Sequence, residues 1–388
     1  MSINPAMDVE KAVRSRYSEG AKVAQEALCC PSSSYDEKYL AAIPQEIIDK
    51  DYGCGDPTAH CEEGQIVLDL GSGAGKACYI MSQRVGPNGR VIGIDMNDDM
   101  LALARQYREE ITRKIGYANV EFRKARIQDL RLDLEKVDAW LKERPARSAA
   151  DLTALESYGR EISQTSPVVA DNSIDLIVSN CVLNLVRPED KSKLFSEMFR
   201  ILRKGGRAVI SDVVSDEDVP DHLQQDPELW SGCISGAFRE DLFLKAFEDA
   251  GFHGIEILKL DDKPWQTVEG IEFRSMTVSA YKGKQGPCYE HNQAVVYKGP
   301  FSAVQDDDGH RYPRGARIAV CEKTFNLLRN GPYRDQFSFI EPHEAVASED
   351  AVPFDCKRTV LRHPRETKGV DYKVTTEAAD CCGPEGCC

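Results

Sequence analysis

The sequence predicts an α/β protein built on a doubly wound, mostly parallel sheet, with a helical lid before it and a small β-rich domain after it. Three observations carry this reading. From residue 66, short apolar runs alternate with stretches of helical periodicity, the pattern of βαβ units. A glycine-rich turn, Gly71-Ser72-Gly73-Ala74-Gly75, joins the first such run to the first helix. After Lys282 the helical stretches give way to Gly- and Pro-rich sequence with short β-like runs such as QAVVYKG and RIAVCEKT. The expected boundaries are 1–60 for the lid, 61–282 for the sheet domain, 283–374 for the β-rich domain and 375–388 for a flexible tail ending in CCGPEGCC.

The elements follow in order. Residues 8–28 space Val13, Tyr17, Ala21, Val23, Ala24 and Leu28 as one face of an amphipathic helix, stopped by Cys29-Cys30-Pro31. A short helix fits 44–52, with Pro44 in its first turn, and runs into the tight turn Gly53-Cys54-Gly55. Strands are expected at 66–70, 91–95, 119–123, 174–179 and 207–213, with helices at 75–85, 97–114 and 188–203 between them. Lys204-Gly205-Gly206 reads as a helix cap and turn. A helix at 239–250 and strands at 253–260 and 273–281 complete the sheet, with an antiparallel edge. Residues 130–170 form an insertion of helical character.

Composition narrows the function. The chain has 388 residues, 41% of them hydrophobic and 29% charged, with a formal net charge of −15 and no basic block. Such a surface repels polyanions, so nucleic acid is not an expected partner. No run approaches the roughly 18 apolar residues of a membrane span, so no membrane association is expected. The N-terminal stretch has the form of neither a signal nor a transit peptide, and the expected compartment is the cytoplasm. Against that background fourteen cysteines are many. In a reducing compartment they point to metal ligation or redox chemistry rather than a static disulfide scaffold.

The loop LDLGSGAGK at 68–76 follows a strand and opens a helix. Gly71, Gly73 and Gly75 let a ligand approach backbone, and Ser72 lies between them. Asp95, next to Met96, ends the following strand, where a carboxylate accepts ribose hydroxyls. Two features select S-adenosylmethionine over a dinucleotide. Asp69 precedes the loop and faces the cationic end of the ligand, and the third glycine of GxGxxG is missing. Ile127-Gln128-Asp129, after the third strand, falls at the adenine edge, with Asp129 placed to accept the exocyclic amine. Asn180, at the end of the fourth strand, completes the expected cofactor contacts.

The methyl acceptor in such a fold sits beyond that same strand end. Here the segment continues Asn180-Cys181-Val182-Leu183-Asn184, a thiol in place of the Asn/Asp-Pro-Pro-aromatic segment of amine methylation. Cys233, in WSGCISGA, projects over the same end of the sheet, and Cys54 sits just before the first strand. Thiolates select soft centres. Zinc usually takes four ligands in CxxC-type pairs, and none occurs in 1–282. Trivalent arsenic needs three sulfurs and keeps the lone pair that attack on a sulfonium methyl requires. A small-molecule C- or O-methyltransferase with incidental cysteines is the alternative. It calls for a general base near 180–184, and the nearest histidine in sequence is His222. A non-catalytic metalloid binder is the third reading, and it leaves the intact cofactor loop unexplained.

The sequence resembles the arsenite S-adenosylmethionine methyltransferase family. The resemblance is carried by DYGCGDP (51–57), LDLGSGAGKACYIMSQRVG (68–86), VIGIDMNDDMLALAR (91–105), SIDLIVSNCVLNL (173–185), FRILRKGGRAVISDV (199–213) and WSGCISGA (230–237), which together span about 50–240. It implies a Rossmann-like methyltransferase sheet and methylation of As(III). It implies that Cys181 and Cys233 bind arsenic directly, that Cys54 is the third ligand in one stage, and that Cys54 pairs in redox recovery with Cys30 rather than Cys29. Arsenite as a thiol complex and a thiol reductant, glutathione or thioredoxin, are the implied co-substrates, and a monomer is expected. Tyr52 is expected to offer an aromatic face to the sulfonium. Cys78, Cys288, Cys321 and Cys356 are expected as packing thiols, and Cys381, Cys382, Cys387 and Cys388 as accessory.

Overall fold

The computed structural model describes residues 9–23, 35–50 and 52–357, with 362, 365, 368 and 372–376 beyond them. The chain divides into two compact units, Met1–Gly283 and Lys284–Cys388. Cys29, Cys30 and the four tail cysteines lie outside the described residues.

The first unit opens with three helices, α1 (Val9–Lys22), α2 (Glu37–Leu40) and α3 (Gln45–Asp49). The βα alternation follows: β1 (Ile66–Leu70), α4 (Lys76–Val85), β2 (Arg90–Asp95), α5 (Asp98–Gln106), α6 (Arg108–Ile115) and β3 (Val120–Lys124). The insertion supplies α7 (Leu134–Glu143) and α8 (Ala149–Thr165), which stack Trp140 on Tyr158. Then come β4 (Ile174–Asn180), α9 (Pro188–Ile201), β5 (Leu202–Ser215), α10 (Asp221–Gln224), α11 (Pro227–Ser231), β6 (Phe238–Arg239), α12 (Glu240–Asp249), β7 (His253–Leu260), β8 (Gln266–Val268) and β9 (Ile271–Tyr281). The main sheet runs β3-β2-β1-β4-β5-β9-β7, with β6 beside β5 and β8 beside β9. Pairs from β3 to β5 are parallel, and β9 runs antiparallel to β5 and β7. The doubly wound sheet with an antiparallel edge is the one the periodicity predicts.

Period-two alternation explains why both faces are covered. Leu68, Leu70, Ile177 and Ile210 join a buried cluster with α9 and α12. Their neighbours Val67, Leu176, Val178 and Val209 join the opposite cluster with α4 and α5. In the first cluster Phe195, Phe243 and Phe252 surround Phe247 with centroid distances of 4.8, 5.5 and 5.5 Å.

Two local expectations change. The single helix expected at 97–114 is divided at Tyr107 into α5 and α6. Lys204-Gly205-Gly206 is not a helix cap but an irregularity inside β5, where pairing with β4 shifts register between Ile174 and Leu176. Gly205 takes φ +83° and donates its N–H to the Lys282 carbonyl at 2.7 Å. A Cβ at Gly206 would press on the carbonyl oxygens of Asp175 and Ile174 at 2.9 and 3.0 Å.

The second unit holds a three-stranded antiparallel sheet, with β10 (Ala294–Tyr297) between β13 (Arg317–Ala319) and β14 (Phe337–Ile340), and a pair β11 (Ala303–Gln305) and β12 (Arg311–Pro313). The run at 317–324, expected as β, divides: Cys321 caps a helix, α13 (Glu322–Asn330), which buries Phe325 and Leu328 against Val295 and Phe337.

Replacing Phe247 by Ala removes the centre of the aromatic cluster. Urea unfolding of the Phe247→Ala variant should show a loss of about 3–5 kcal/mol. A loss below roughly 1 kcal/mol would mean the cluster does not carry the packing assigned to it.

Candidate functional site

The strand order reverses at β1 and β4, whose following segments leave on opposite sides and open a crevice at their carboxyl ends. The glycine loop lines it. Gly71 has φ +75° and lies so close to Val182 that a Cβ would contact that side chain at 2.5 Å. Gly73 (φ +50°) donates its N–H to Asp95 Oδ2 at 2.9 Å, and Asn97 donates its N–H to Oδ1 at 2.8 Å. These bonds aim the Asp95 carboxylate into the crevice, and burial raises its pKa.

The cavity is lined by Asp69, Gly71, Ser72, Gly73, Asp95, Met96, Ile127, Asn180 and Cys181. Ser72 Oγ is buried with no hydrogen-bond partner among the described residues, an orphan that suits a polar ligand. The cradle free of Cβ atoms, this hydroxyl and the two carboxylates fit S-adenosylmethionine. Asp129 is not part of the lining, and Gln128 takes its place. The Asp129 carboxylate instead accepts the N–H groups of Arg131 and Leu132 and pairs with Lys193 at 3.2 Å. Its place in a turn directs it to its own backbone.

Helix α1 closes the cavity with Glu10, Val13, Arg14 and Tyr17. Its anchors are Asn97 Nδ2 on the Arg14 carbonyl (3.2 Å), Arg126 on Glu10 (3.2 Å), and Arg16 on the Glu228 carbonyl and Ser231 Oγ (both 2.8 Å). Tyr17, read from sequence as part of an apolar face, has its hydroxyl on Cys233, and burial chiefly raises its pKa. Tyr52 packs edge-on against it at 6.1 Å and also lines the cavity. The sequence signal for Tyr17, an aromatic on a cationic stretch (Arg14, Arg16), is weak by itself.

Cys54, Cys181 and Cys233 lie in one buried cluster with Val213, Ile234 and Phe273. The Gly53-Cys54-Gly55 turn is held by one side chain. Asn180 Oδ1 accepts the N–H groups of Cys54 (2.8 Å) and Gly55 (3.1 Å), and its Nδ2 donates to the Gly55 carbonyl (2.8 Å) and Tyr35 Oη (3.0 Å). Glycine is required on both sides of Cys54. A Cβ at Gly53 would collide with the Asn180 amide, and one at Gly55 with Ser211 Oγ at 2.6 Å. Cys181 and Cys233 both adopt left-handed backbone, φ +58° and +64°, a strained state for residues with a Cβ.

Cys54 is disulfide-bonded to Cys181, with Cα atoms 5.9 Å apart. The expected partner was Cys30, which lies outside the described residues. The bond goes to Cys181 because Asn180, the residue before it, pins the Cys54 turn at that strand end. Cys233 is not in a disulfide, and its thiol donates to the Cys181 carbonyl at 3.2 Å. Cys78 is buried and bonds Asp69 Oδ2 at 3.2 Å, so it supports the loop carboxylate as well as packing.

Two ionisable groups that sequence reasoning missed stand behind the thiols. Asp212 accepts the N–H groups of Leu183 and Val213 at 2.8 Å, and burial pushes its pKa up to about 6. Lys191 donates to the Gly236 carbonyl at 2.5 Å over the Phe238 ring, and burial lowers its pKa to about 8. Neither stands out in sequence, because nothing there distinguishes a charge that the fold buries.

Two outcomes follow. Asp95→Ala should weaken S-adenosylmethionine binding by about 10–100-fold in calorimetric titration, the worth of hydrogen bonds to a charged group. An unchanged affinity would remove Asp95 from the site. Ionised Asp212 is disfavoured in the fold, so its penalty is absent below the ordinary value of 3.8 and grows as pH rises towards 6. Asp212→Asn does not titrate. Its stability relative to the parent should therefore climb by on the order of 2–3 kcal/mol between pH 4 and 6, read by urea unfolding. A flat difference would contradict the assignment.

Comparison with known proteins agrees with this geometry. A family model described as a methyltransferase domain matches residues 62–164 and 158–251, and one described as a domain of unknown function matches 284–372. An arsenite methyltransferase of Aquipseudomonas alcaligenes is 32% identical over 80% of this chain and 84% of its own length. The arsenite methyltransferase of Homo sapiens is 25% identical over 92% and 90%. The crystal structure of an arsenic(III) S-adenosylmethionine methyltransferase from Chlamydomonas reinhardtii superposes with a TM-score of 0.54 at 26% identity, over 82% of this chain and 98% of that one. With its crevice, its glycine loop and these relatives, the chain belongs to the arsenite methyltransferase family.

Proposed function

We infer that the chain transfers the methyl group of S-adenosylmethionine to As(III) held by Cys54, Cys181 and Cys233. The observation that carries this reading is the position of Cys181, which is at once a wall of the cofactor cavity and a member of the three-cysteine cluster. A centre held there meets the cofactor with little motion, and catalysis is then chiefly the positioning of two bound reactants.

S-adenosylmethionine supplies an electrophilic methyl group on a cationic sulfur. Asp95 takes the ribose, Asp69 and Ser72 face the amino-acid portion, and Tyr52 offers its ring near the sulfonium. Arsenic, trivalent and bound to three thiolates, attacks with its own lone pair, so no general base is needed. Cys181, Val182 and Leu185 line the cavity next to the thiol cluster. The relatives named for arsenite methylation do not favour carbon or oxygen methylation.

Methyl transfer leaves arsenic formally pentavalent. Two thiolates return two electrons and close a disulfide, and arsenic becomes trivalent again. The pair Cys54–Cys181 is the one already close enough to bond. While it is closed, Cys233 is the one member of the three outside a disulfide. The bond must therefore open before arsenite can bind three sulfurs. Cys30 enters by thiolate attack on Cys54, which releases Cys181 and moves the disulfide to Cys30–Cys54. An external thiol, glutathione or thioredoxin, then reduces that bond.

Incubation with arsenite, glutathione and S-adenosylmethionine, followed by arsenic speciation, tests the reading. Methylated arsenic should form with the parent chain. Cys181→Ser and Cys233→Ser should abolish it and leave S-adenosylmethionine binding intact. Full methylation by both variants would overturn the ligand assignment.

A further inference from the structure

The second unit contains three cysteines far apart in sequence, Cys288, Cys321 and Cys356. Backbone pairing brings their segments together. The Glu290 N–H donates to the Val352 carbonyl (2.8 Å), Phe354 to Cys288 (2.8 Å) and Glu322 to Tyr289 (3.0 Å). The three Sγ atoms all lie within 4.8 Å of one another. At metal–thiolate distances of about 2.3 Å, three sulfurs round one centre lie within roughly 4 Å of each other, so small rotations of the side chains close the site. Packing alone does not call for three converging thiols.

One of the three stands at the start of a helix. Cys321 caps α13, and its Sγ accepts the Thr324 N–H at 3.3 Å, at the positive end of the helix dipole. A cavity of about 330 Å³ opens beside Cys321 and Cys356 and gives a ligand access.

The ligand count selects the occupant. Among the described residues no fourth cysteine, histidine or carboxylate joins the three. His310 is the nearby candidate, but its Nδ1 bonds Asp306 (2.9 Å) and its Nε2 the Cys356 carbonyl (3.2 Å). Structural zinc wants four ligands. A trivalent arsenic centre wants three sulfurs and keeps a lone pair in the fourth direction.

We propose that Cys288, Cys321 and Cys356 form a second, non-catalytic trithiolate site that binds As(III). The choice of arsenic among soft centres rests on the methyl-transfer reading. Binding is an exchange without redox change: three thiol protons leave with the three hydroxyls of arsenous acid as three waters, and three As–S bonds form.

The test is alkylation mapping by mass spectrometry on the reduced full chain, with sodium arsenite as the probe. Arsenite should protect Cys288, Cys321 and Cys356 from iodoacetamide together, in the unsubstituted protein. In Cys356→Ser the arsenite needed to protect Cys288 and Cys321 should rise on the order of tenfold or more, because the chelate loses one arm. That variant should still methylate arsenite and still protect Cys181 and Cys233. Alkylation of the three at arsenite levels that protect Cys181 and Cys233 would overturn the proposal. So would equal protection by zinc(II), which would make the site a zinc site. Protection of the three without any methylated product would support the second site and count against the methyl-transfer reading alone.

Discussion

The side-chain amide of Asn180 is the contact on which the site depends. It ends β4 at the point where the strand order reverses, and it satisfies backbone groups of a turn that lies more than a hundred residues earlier in sequence. A buried amide left unmade costs about 1–3 kcal/mol, so the turn is held wherever Asn180 is held. The consequence is chemical as well as structural. Cys54 is placed beside Cys181 because the residue before Cys181 holds the backbone of Cys54. The glycines flanking Cys54 are the steric complement, since neither position leaves room for a Cβ.

The cofactor and thiol ends are joined through α1. Tyr17 lines the cavity and touches Cys233, while Arg16 on the same helix grips the turn that carries Cys233. Helix α1 thus contacts both the cofactor cavity and the turn that carries Cys233. The left-handed backbone at both Cys181 and Cys233 fits a site whose ligand geometry is set by the fold rather than by local preference. Asp212 and Lys191 add buried charge of both signs behind the thiols. Their shifted pKa values follow from desolvation and mark the site as a place where the fold bears an electrostatic cost.

Much of the sheet was legible because buried parallel strands are short apolar runs and the helices between them have clean periodicity. The places of the glycine loop, Asp95 and Cys181 at one cavity were legible for a related reason: they lie at strand ends, which the pattern locates. Asp129 was misplaced because proximity to a strand end does not say where a turn directs its side chain. Lys204-Gly205-Gly206 looked like a cap, yet the glycines serve an irregularity in β5, which depends on its pairing with β4 and β9 and leaves no local mark. The convergence of Cys288, Cys321 and Cys356 was invisible for the same cause. It arises from pairing between segments more than thirty residues apart, and no short spacing motif records it. The Cys54–Cys181 bond is likewise a product of the Asn180 clamp and not of sequence distance.

Arsenic K-edge X-ray absorption tests the central claim most directly, on reduced protein loaded with one equivalent of arsenite and carrying serine at Cys288, Cys321 and Cys356. The account predicts three sulfur neighbours around arsenic, falling to two when Cys233 is also serine. Oxygen or nitrogen neighbours in the first case, or an unchanged sulfur count in the second, would contradict it.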